Sequence, residues 1–206
     1  MSKISVIIPM WIINGGLLDL TKATLESLEG TDWNGEEKEM IFVDNGSPIG
    51  QELLSAYPDI YIRGQINKGY PWATNQGIKV ATGDFICISN NDIRISQNWL
   101  KVALEIFEKY SEVGSVHYRM IPYDDLFSYD DDVWIEGKER WCSSSFFVMR
   151  QEVVKKVGLY DERFGVFGYD DYDFWYRVRK AGFKTAYTNM ACYNHKDSAT
   201  ANLLDQ

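Results

Sequence analysis

The sequence predicts an α/β domain built on a mostly parallel, doubly wound sheet flanked by helices. Three observations carry that reading. Short β-branched apolar runs alternate with amphipathic segments through the first half of the chain. Polar clusters at Pro9-Met10-Trp11, Asp44-Asn45-Gly46 and Asn90-Asn91-Asp92 each follow such a run. In open α/β sheets, ligands sit beyond the carboxyl ends of the strands, so three such ends converging on one edge mark a site. Finally, 206 residues fit a single domain, 1–206, with a substantial core.

Each element has its own signal. Ile4-Ser5-Val6-Ile7-Ile8 is a first strand. The wider apolar stretch Ile4 to Ile13 is interrupted by Pro9 and lacks a small-residue cleavage site, so it does not read as a leader. Leu17 to Leu28 carries leucines at near-helical spacing. Met40 to Val43 is a second strand, closed by the turn Asp44-Asn45-Gly46-Ser47-Pro48. Ile60-Tyr61-Ile62 is a third, and Pro71 suits the first position of a helix reaching Ala81. Phe85 to Ile88 is a fourth strand, and Gln97 to Tyr110 places Leu100, Ala103, Leu104 and Phe107 on one helical face. Val113 to Val116 follows as a strand. Between Arg119 and Ser144 no period survives, and Tyr123-Asp124-Asp125, Tyr129-Asp130-Asp131-Asp132 and Trp134 fit either a binding lip or a solvated acidic loop. Order resumes at Phe146 to Met149, a helix near Gln151 to Val157, a turn at Gly158 to Asp161 and a last strand at Thr185 to Thr188.

Composition narrows the partners. A net charge of −9, from 21 basic and 30 acidic residues, repels nucleic-acid backbones and anionic lipid surfaces. Cys87, Cys142 and Cys192 match no zinc spacing, and with no signal peptide they point to a reducing cytoplasm. For the same reason the acceptor triplet Asn45-Gly46-Ser47 is discounted as a glycosylation site. No run is long enough to span a bilayer. Aromatic residues at 15%, with seven Trp and thirteen Tyr, suit either stacking on sugar faces or a tyrosine-rich core.

Two acidic stretches hold the candidate chemistry. Asp92 ends the cluster after a buried strand, where a carboxylate can hold a hard divalent cation and the cation a diphosphate. A turn or capping role competes, and Asn90, Asn91 and Asp44 nearby tilt the balance. The second is Gly168-Tyr169-Asp170-Asp171-Tyr172-Asp173. Helix capping accounts for Asp173 alone, and crowded carboxylates raise one another's pKa, which suits proton abstraction. His195 is a weak ligand candidate near the chain end, where a tail could fold over a cleft, and His117 reads as a structural histidine. No Gly-x-Gly-x-x-Gly, Walker loop or Gly-x-Ser-x-Gly elbow is present, which disfavours dehydrogenase, P-loop and α/β-hydrolase readings.

Taken in order, Val6-Ile7-Ile8-Pro9, Val43-Asp44-Asn45-Gly46-Ser47, Asn67-Lys68-Gly69-Tyr70, Asn75-Gln76-Gly77, Gly83-Asp84 and Asn90-Asn91-Asp92 resemble the family 2 glycosyltransferases of the GT-A fold. Gly158 to Phe164, then Asp170-Asp171-Tyr172-Asp173 and Arg177, resemble the family's second half, so the likeness runs from Ile4 to about His195. It implies a donor half at about 1–117 and an acceptor and base half at about 118–206. It implies that Pro9, Met10, Trp11, Asp44 and Gly46 line the nucleotide pocket, with Asp44 on the base. Asn67, Gly69 and Asn75 would shape the donor site, and Asn90 and Asn91 would stand in the Asp-x-Asp position. Asp92 and His195 would hold Mn²⁺ or Mg²⁺, and Asp171 would be the catalytic base with Asp170 its rival. The implied reaction moves a sugar from a UDP-, dTDP- or GDP-sugar to a carbohydrate or glycoconjugate hydroxyl with inversion. Two departures stand out: asparagine at Asn90 where the motif favours aspartate, and Trp11 where a polar residue is usual. A sugar-phosphate nucleotidyltransferase is the first rival, but Trp11 to Gly16 lacks the arginine its loop needs. A non-catalytic nucleotide-sugar binding module is the second, and carboxylates at both Asp92 and Asp171 argue against it.

Overall fold

A computed structural model describes residues 1–122, 125, 131–136, 144–166 and 168–196. Its elements run β1 (Lys3–Met10), α1 (Gly15–Glu29), β2 (Glu37–Asp44), α2 (Gln51–Ala56), β3 (Ile60–Arg63), α3 (Tyr70–Val80), β4 (Phe85–Ser89), β5 (Ile93–Ile95) and α4 (Trp99–Lys109). Then come β6 (Val113–Pro122), β7 (Val133–Glu136), β8 (Phe146–Arg150), α5 (Gln151–Val157), a 3₁₀ turn (Glu162–Phe164), α6 (Asp170–Lys180) and β9 (Lys184–His195). One sheet takes all the described strands in the order β3-β2-β1-β4-β8-β6-β9-β5, with β7 on β9. β1 pairs in parallel with β2 and β4, and β2 with β3. β8 runs antiparallel between β4 and β6, β9 lies parallel to β6, and β5 and β7 oppose β9. β1, β2, β3, β4, β6 and β9 therefore run one way, which is the mostly parallel α/β sheet expected.

Strand periodicity builds two cores. Ile4, Val6, Ile8, Phe42, Cys87 and Val148 face α1 and α4, packing with Leu25, Trp99, Leu100 and Phe107. Ile7, Ile41, Val43, Ile86, Ile88, Phe147 and Met149 face the other way, onto Ile78 of α3, Val153 of α5 and Phe174 and Val178 of α6. Because side chains alternate, the register fixes every carboxyl end too. Met10 lies opposite Asp44, Asp44 opposite Arg63, and Pro122 opposite His195.

The structure extends the sequence reading in three places. α2 and β5 are too short for a period to show. Within the stretch expected to be irregular, β6 continues to Pro122 and β7 forms at Val133–Glu136; Tyr123, Asp124, Tyr129, Asp130 and Cys142 lie outside the described residues. β9 runs on to His195, across a slip in its pairing with β6 between Tyr118/Thr188 and Arg119/Cys192. Such a bulge breaks the alternation by which a strand is read.

One buried carboxylate ties the amino ends together. Glu39 of β2 accepts hydrogen bonds from Ser5 Oγ, from Thr82 N at 2.9 Å and from Thr82 Oγ1 at 2.6 Å, and Lys3 Nζ lies 3.0 Å away. Burial pushes its pKa up, but these donors outweigh burial and hold it at about 2, below the ordinary 4.5. The ionised group therefore stabilises the fold above pH 4.5, and that stabilisation is lost as pH falls from 4.5 towards 2. Its full size is about 3 kcal/mol. Urea denaturation should show Glu39→Gln losing most of this at pH 7 and flattening the acid limb below pH 4.5. An unchanged limb would mean that Glu39 is not the group responsible.

Candidate functional site

The turn after β4 is held from below. Thr24 Oγ1 of α1 donates to Ile93 O at 2.7 Å and accepts from Ile93 N at 3.1 Å, while Asn91 Nδ2 donates to Thr21 Oγ1 at 2.9 Å. These bonds fix the backbone on which Asp92 sits. Pairing of Ile93 with His195, and a bond from Lys196 N to Asp92 O at 3.1 Å, bring the last residue of β9 alongside. His195 is thus a strand residue, set by the sheet instead of by a folded-over tail. Its Nε2 stands 3.2 Å from Asp92 Oδ1 and 3.5 Å from Asn90 Nδ2.

Asp92 Oδ1 is buried and takes part in no hydrogen bond among the described residues, with His195 Nε2 3.2 Å away. Leaving a buried charged oxygen unsatisfied costs about 1–3 kcal/mol or more. A carboxylate oxygen and an imidazole nitrogen this close are groups that fit a divalent cation. Among the described residues no third His, Cys, Asp or Glu joins them, so such a cation would draw its remaining ligands from water or substrate.

At the neighbouring strand ends the polar residues form a hydrogen-bonded scaffold. Asp44 is fully buried: Oδ1 accepts from Ser47 N at 2.7 Å, Oδ2 accepts from Tyr61 Oη at 2.8 Å, and Arg63 Nη1 lies 3.3 Å from Oδ2. Burial, and then the bond to Asp44, push the Tyr61 hydroxyl up to about 12. Asp44 therefore anchors Arg63, whose side chain is 43% exposed. Pro9 and Met10 are buried and Trp11 is half-buried. Asn45, which sequence reasoning passed over between Asp44 and Gly46, is the hub of the adjoining loop. Its Nδ2 donates to Asn67 Oδ1 and Gly69 O, and its Oδ1 accepts from Lys68 N.

Two glycines in this loop are required by space. A Cβ on Gly46 (φ +83°) would lie 2.7 Å from Ile66 backbone, and one on Gly69 (φ +94°) 2.0 Å from Gly165 O. Gly69 thus packs directly on the loop that precedes α6, and Tyr70 N donates to Val166 O at 3.0 Å. Asn75 completes this clasp. Its Nδ2 donates to Tyr160 O and Glu162 Oε1 and its Oδ1 accepts from Tyr160 N, so the amide is spent on positioning the acidic loop. The amides of Asn75 and Asn91 both bind protein groups.

The first turn of α6 separates its carboxylates. Asp170 is buried, with Oδ1 accepting from Gly168 N at 3.1 Å; burial, then the charge of Asp171, raises its pKa. Asp171 is half-buried and accepts from Tyr172 N at 2.8 Å. Asp173 is no cap, for it pairs with Arg177 Nε at 2.8 Å, and Arg177 donates to Val157 O and Leu159 O at the end of α5. Ser144 and Ser145 join the loops: Ser145 O accepts from Asn90 N at 2.8 Å, and Ser144 O from Tyr70 Oη at 2.7 Å. Trp175 Nε1 of α6 lies 3.4 Å from Ser144 Oγ. The Asp92–His195 turn, the Asn45–Gly69 loop and the acidic helix are thus linked through Ser144 and Ser145. His117 is buried against Phe147 and Trp175, the structural role expected of it.

Comparison with known proteins gives a family and a fold. The profile of the family described as Glycosyl transferase family 2 matches residues 5–158. An uncharacterised glycosyltransferase of Escherichia coli K12, YibD, is 34% identical over 94 residues, covering 44% of this chain and 26% of its own length. TarS (residues 1–349) of S. aureus superposes with a TM-score of 0.75 at 16% identity, over 95% of this chain and 61% of that one. GalNAc-T7, solved with UDP, GalNAc and Mn²⁺, gives 0.77 at 12% identity, covering 95% and 43%. The mannosyltransferase PcManGT from Pyrobaculum calidifontis, solved with GDP-Man and Mn²⁺, gives 0.72 at 16%, covering 94% and 56%. The fold is therefore GT-A, and the chain spans only part of the length of each of these proteins.

Proposed function

The chain belongs to glycosyl transferase family 2, and from that premise we propose that it transfers a sugar from a nucleoside-diphosphate sugar to an acceptor hydroxyl, with inversion. The observation that carries the reading is the unsatisfied Asp92 oxygen facing His195, at the same sheet edge as the Asn45–Gly69 loop. We read residues 1–117 as the donor half and 118–206 as the acceptor and base half. Asp92 and His195 would hold the cation, whose bound form stabilises charge on the departing diphosphate. Mg²⁺ takes oxygen ligands almost exclusively, so the imidazole favours Mn²⁺.

The protein's own groups do the rest. The Asn67–Gly69 loop, braced by Asn45, would border the donor. Asp171 receives the acceptor's proton while the hydroxyl oxygen bonds to the anomeric carbon and the bond to the diphosphate breaks. Asp170, turned inward onto Gly168 N, positions that turn. A single displacement of this kind inverts the anomeric centre.

The test is nucleotide release from UDP-, dTDP- and GDP-sugars with Mn²⁺ and with chelator, alongside calorimetric donor affinity. Slow release from one donor, abolished by chelator, is expected. Failure to bind any nucleotide sugar in the presence of Mn²⁺ would overturn the reading.

A further inference from the structure

α6 carries more than its acidic first turn. Tyr169, Tyr172 and Tyr176 are 74%, 53% and 58% exposed, among the most exposed large hydrophobic residues described. A spacing of four residues puts Tyr172 and Tyr176 on one face of α6, and Tyr169 immediately precedes the helix. The rings of Tyr169 and Tyr172 have centroids 5.7 Å apart. Tyr169 is held at φ +61°, a left-handed conformation that a bulky residue adopts at a cost of order 1 kcal/mol. It makes no side-chain cap to α6, so the strain is not repaid there. Half-exposed Phe164 and Val166, on the loop leading into the helix, extend the apolar surface.

We propose that this face is a stacking platform for two or three consecutive sugar units of a neutral oligosaccharide acceptor, leading its terminal hydroxyl to Asp171. The inference rests on the transferase reading and names the acceptor class it leaves open. Tyrosine rings offer flat apolar faces to the C–H side of a sugar and a hydroxyl to its polar rim. From Tyr169 to Tyr176 the helix rises about 10 Å, more than one sugar ring needs. Half-buried Asp171 lies at the head of the face and can accept a bond from a sugar hydroxyl, with Asp170 and Asp173 adding their charge to the same turn. With a net charge of −9, they disfavour an anionic lipid surface or a phosphorylated acceptor. Lys180 Nζ, 6.0 Å from the Tyr176 ring centre, marks the far end.

The test measures binding of homo-oligomers of glucose, N-acetylglucosamine and galactose, one to four units long, by saturation-transfer NMR and calorimetry. The samples are full-length protein loaded with UDP or GDP and Mn²⁺. At least one series should gain affinity from one unit to three. Tyr172→Ala and Tyr176→Ala should each flatten that gain by roughly three- to tenfold, Tyr176→Phe should keep it, and melting temperatures should not move. Absence of length dependence in every series, or a gain untouched by both alanines, overturns the platform. So does sedimentation that shows the face buried in a self-association released by Tyr176→Ala, or vesicle binding lost in that variant. A length-dependent gain in a protein that binds no nucleotide would sink the transferase reading and leave the platform standing.

Discussion

Asp92→Asn should abolish turnover, by about a thousandfold or more, while making the metal-free protein more stable. The two effects have opposite signs because one atom causes both. Asp92 Oδ1 is buried with no hydrogen bond, so the fold carries the cost of an unsatisfied charged oxygen. An asparagine can turn its amide towards His195 Nε2, 3.2 Å away in the native pair, and remove that cost, for a gain of about 1 kcal/mol. It cannot match a carboxylate in holding a hard cation, and losing several kcal/mol of stabilisation of the leaving diphosphate is worth a thousandfold in rate. Titration followed by the EPR signal of free Mn²⁺ should show the high-affinity site gone in Asp92→Asn. In His195→Ala the affinity should fall about tenfold to a hundredfold, the size seen when a metal site loses a supporting group. A variant that kept both its Mn²⁺ affinity and its native melting temperature would show that the oxygen is neither a ligand nor a burden.

The parallel half of the sheet was legible because each strand is a short apolar run ending in a polar turn, and the pairing register then aligns those turns. Asp92 and His195 could be named from sequence, but their meeting depends on β9 crossing its bulge to put His195 opposite Ile93. No local period signals that. The protein partners of Asp44, Asn75 and Asn91, which are Tyr61, Tyr160 and Thr21, were not legible in the sequence. A strand end that opens to a ligand leaves backbone groups needing partners, and buried side chains supply them. Asn45 shows the same: its type and place resemble its neighbours', and only the hydrogen bonds reveal it as the hub.

Asp170 and Asp171, adjacent in sequence, should separate cleanly on mutation. Asp171→Asn is expected to lower sugar transfer roughly 10²- to 10⁴-fold, the contribution of a positioned general base, with donor affinity unchanged. Asp170→Asn should act on the fold instead. Burial and then the neighbouring charge raise the pKa of Asp170 above the carboxylate value of 3.8. In the folded protein its ionised form is disfavoured relative to the unfolded chain. Stability therefore falls as pH rises from 3.8 through the folded pKa, and the penalty is complete above it. Asparagine removes the charge and still accepts the Gly168 N–H, so Asp170→Asn should melt higher than wild type at pH 7, the difference vanishing below pH 3.8. The rate constant for transfer separates the roles further. A half-buried carboxylate at the mouth of the turn can meet an acceptor hydroxyl, whereas one committed to Gly168 N beneath it reaches the reaction only through the turn it holds. If Asp170→Asn lost transfer as fully as Asp171→Asn while gaining stability, the proton would pass to the buried carboxylate, and the roles given to the two residues would have to be exchanged.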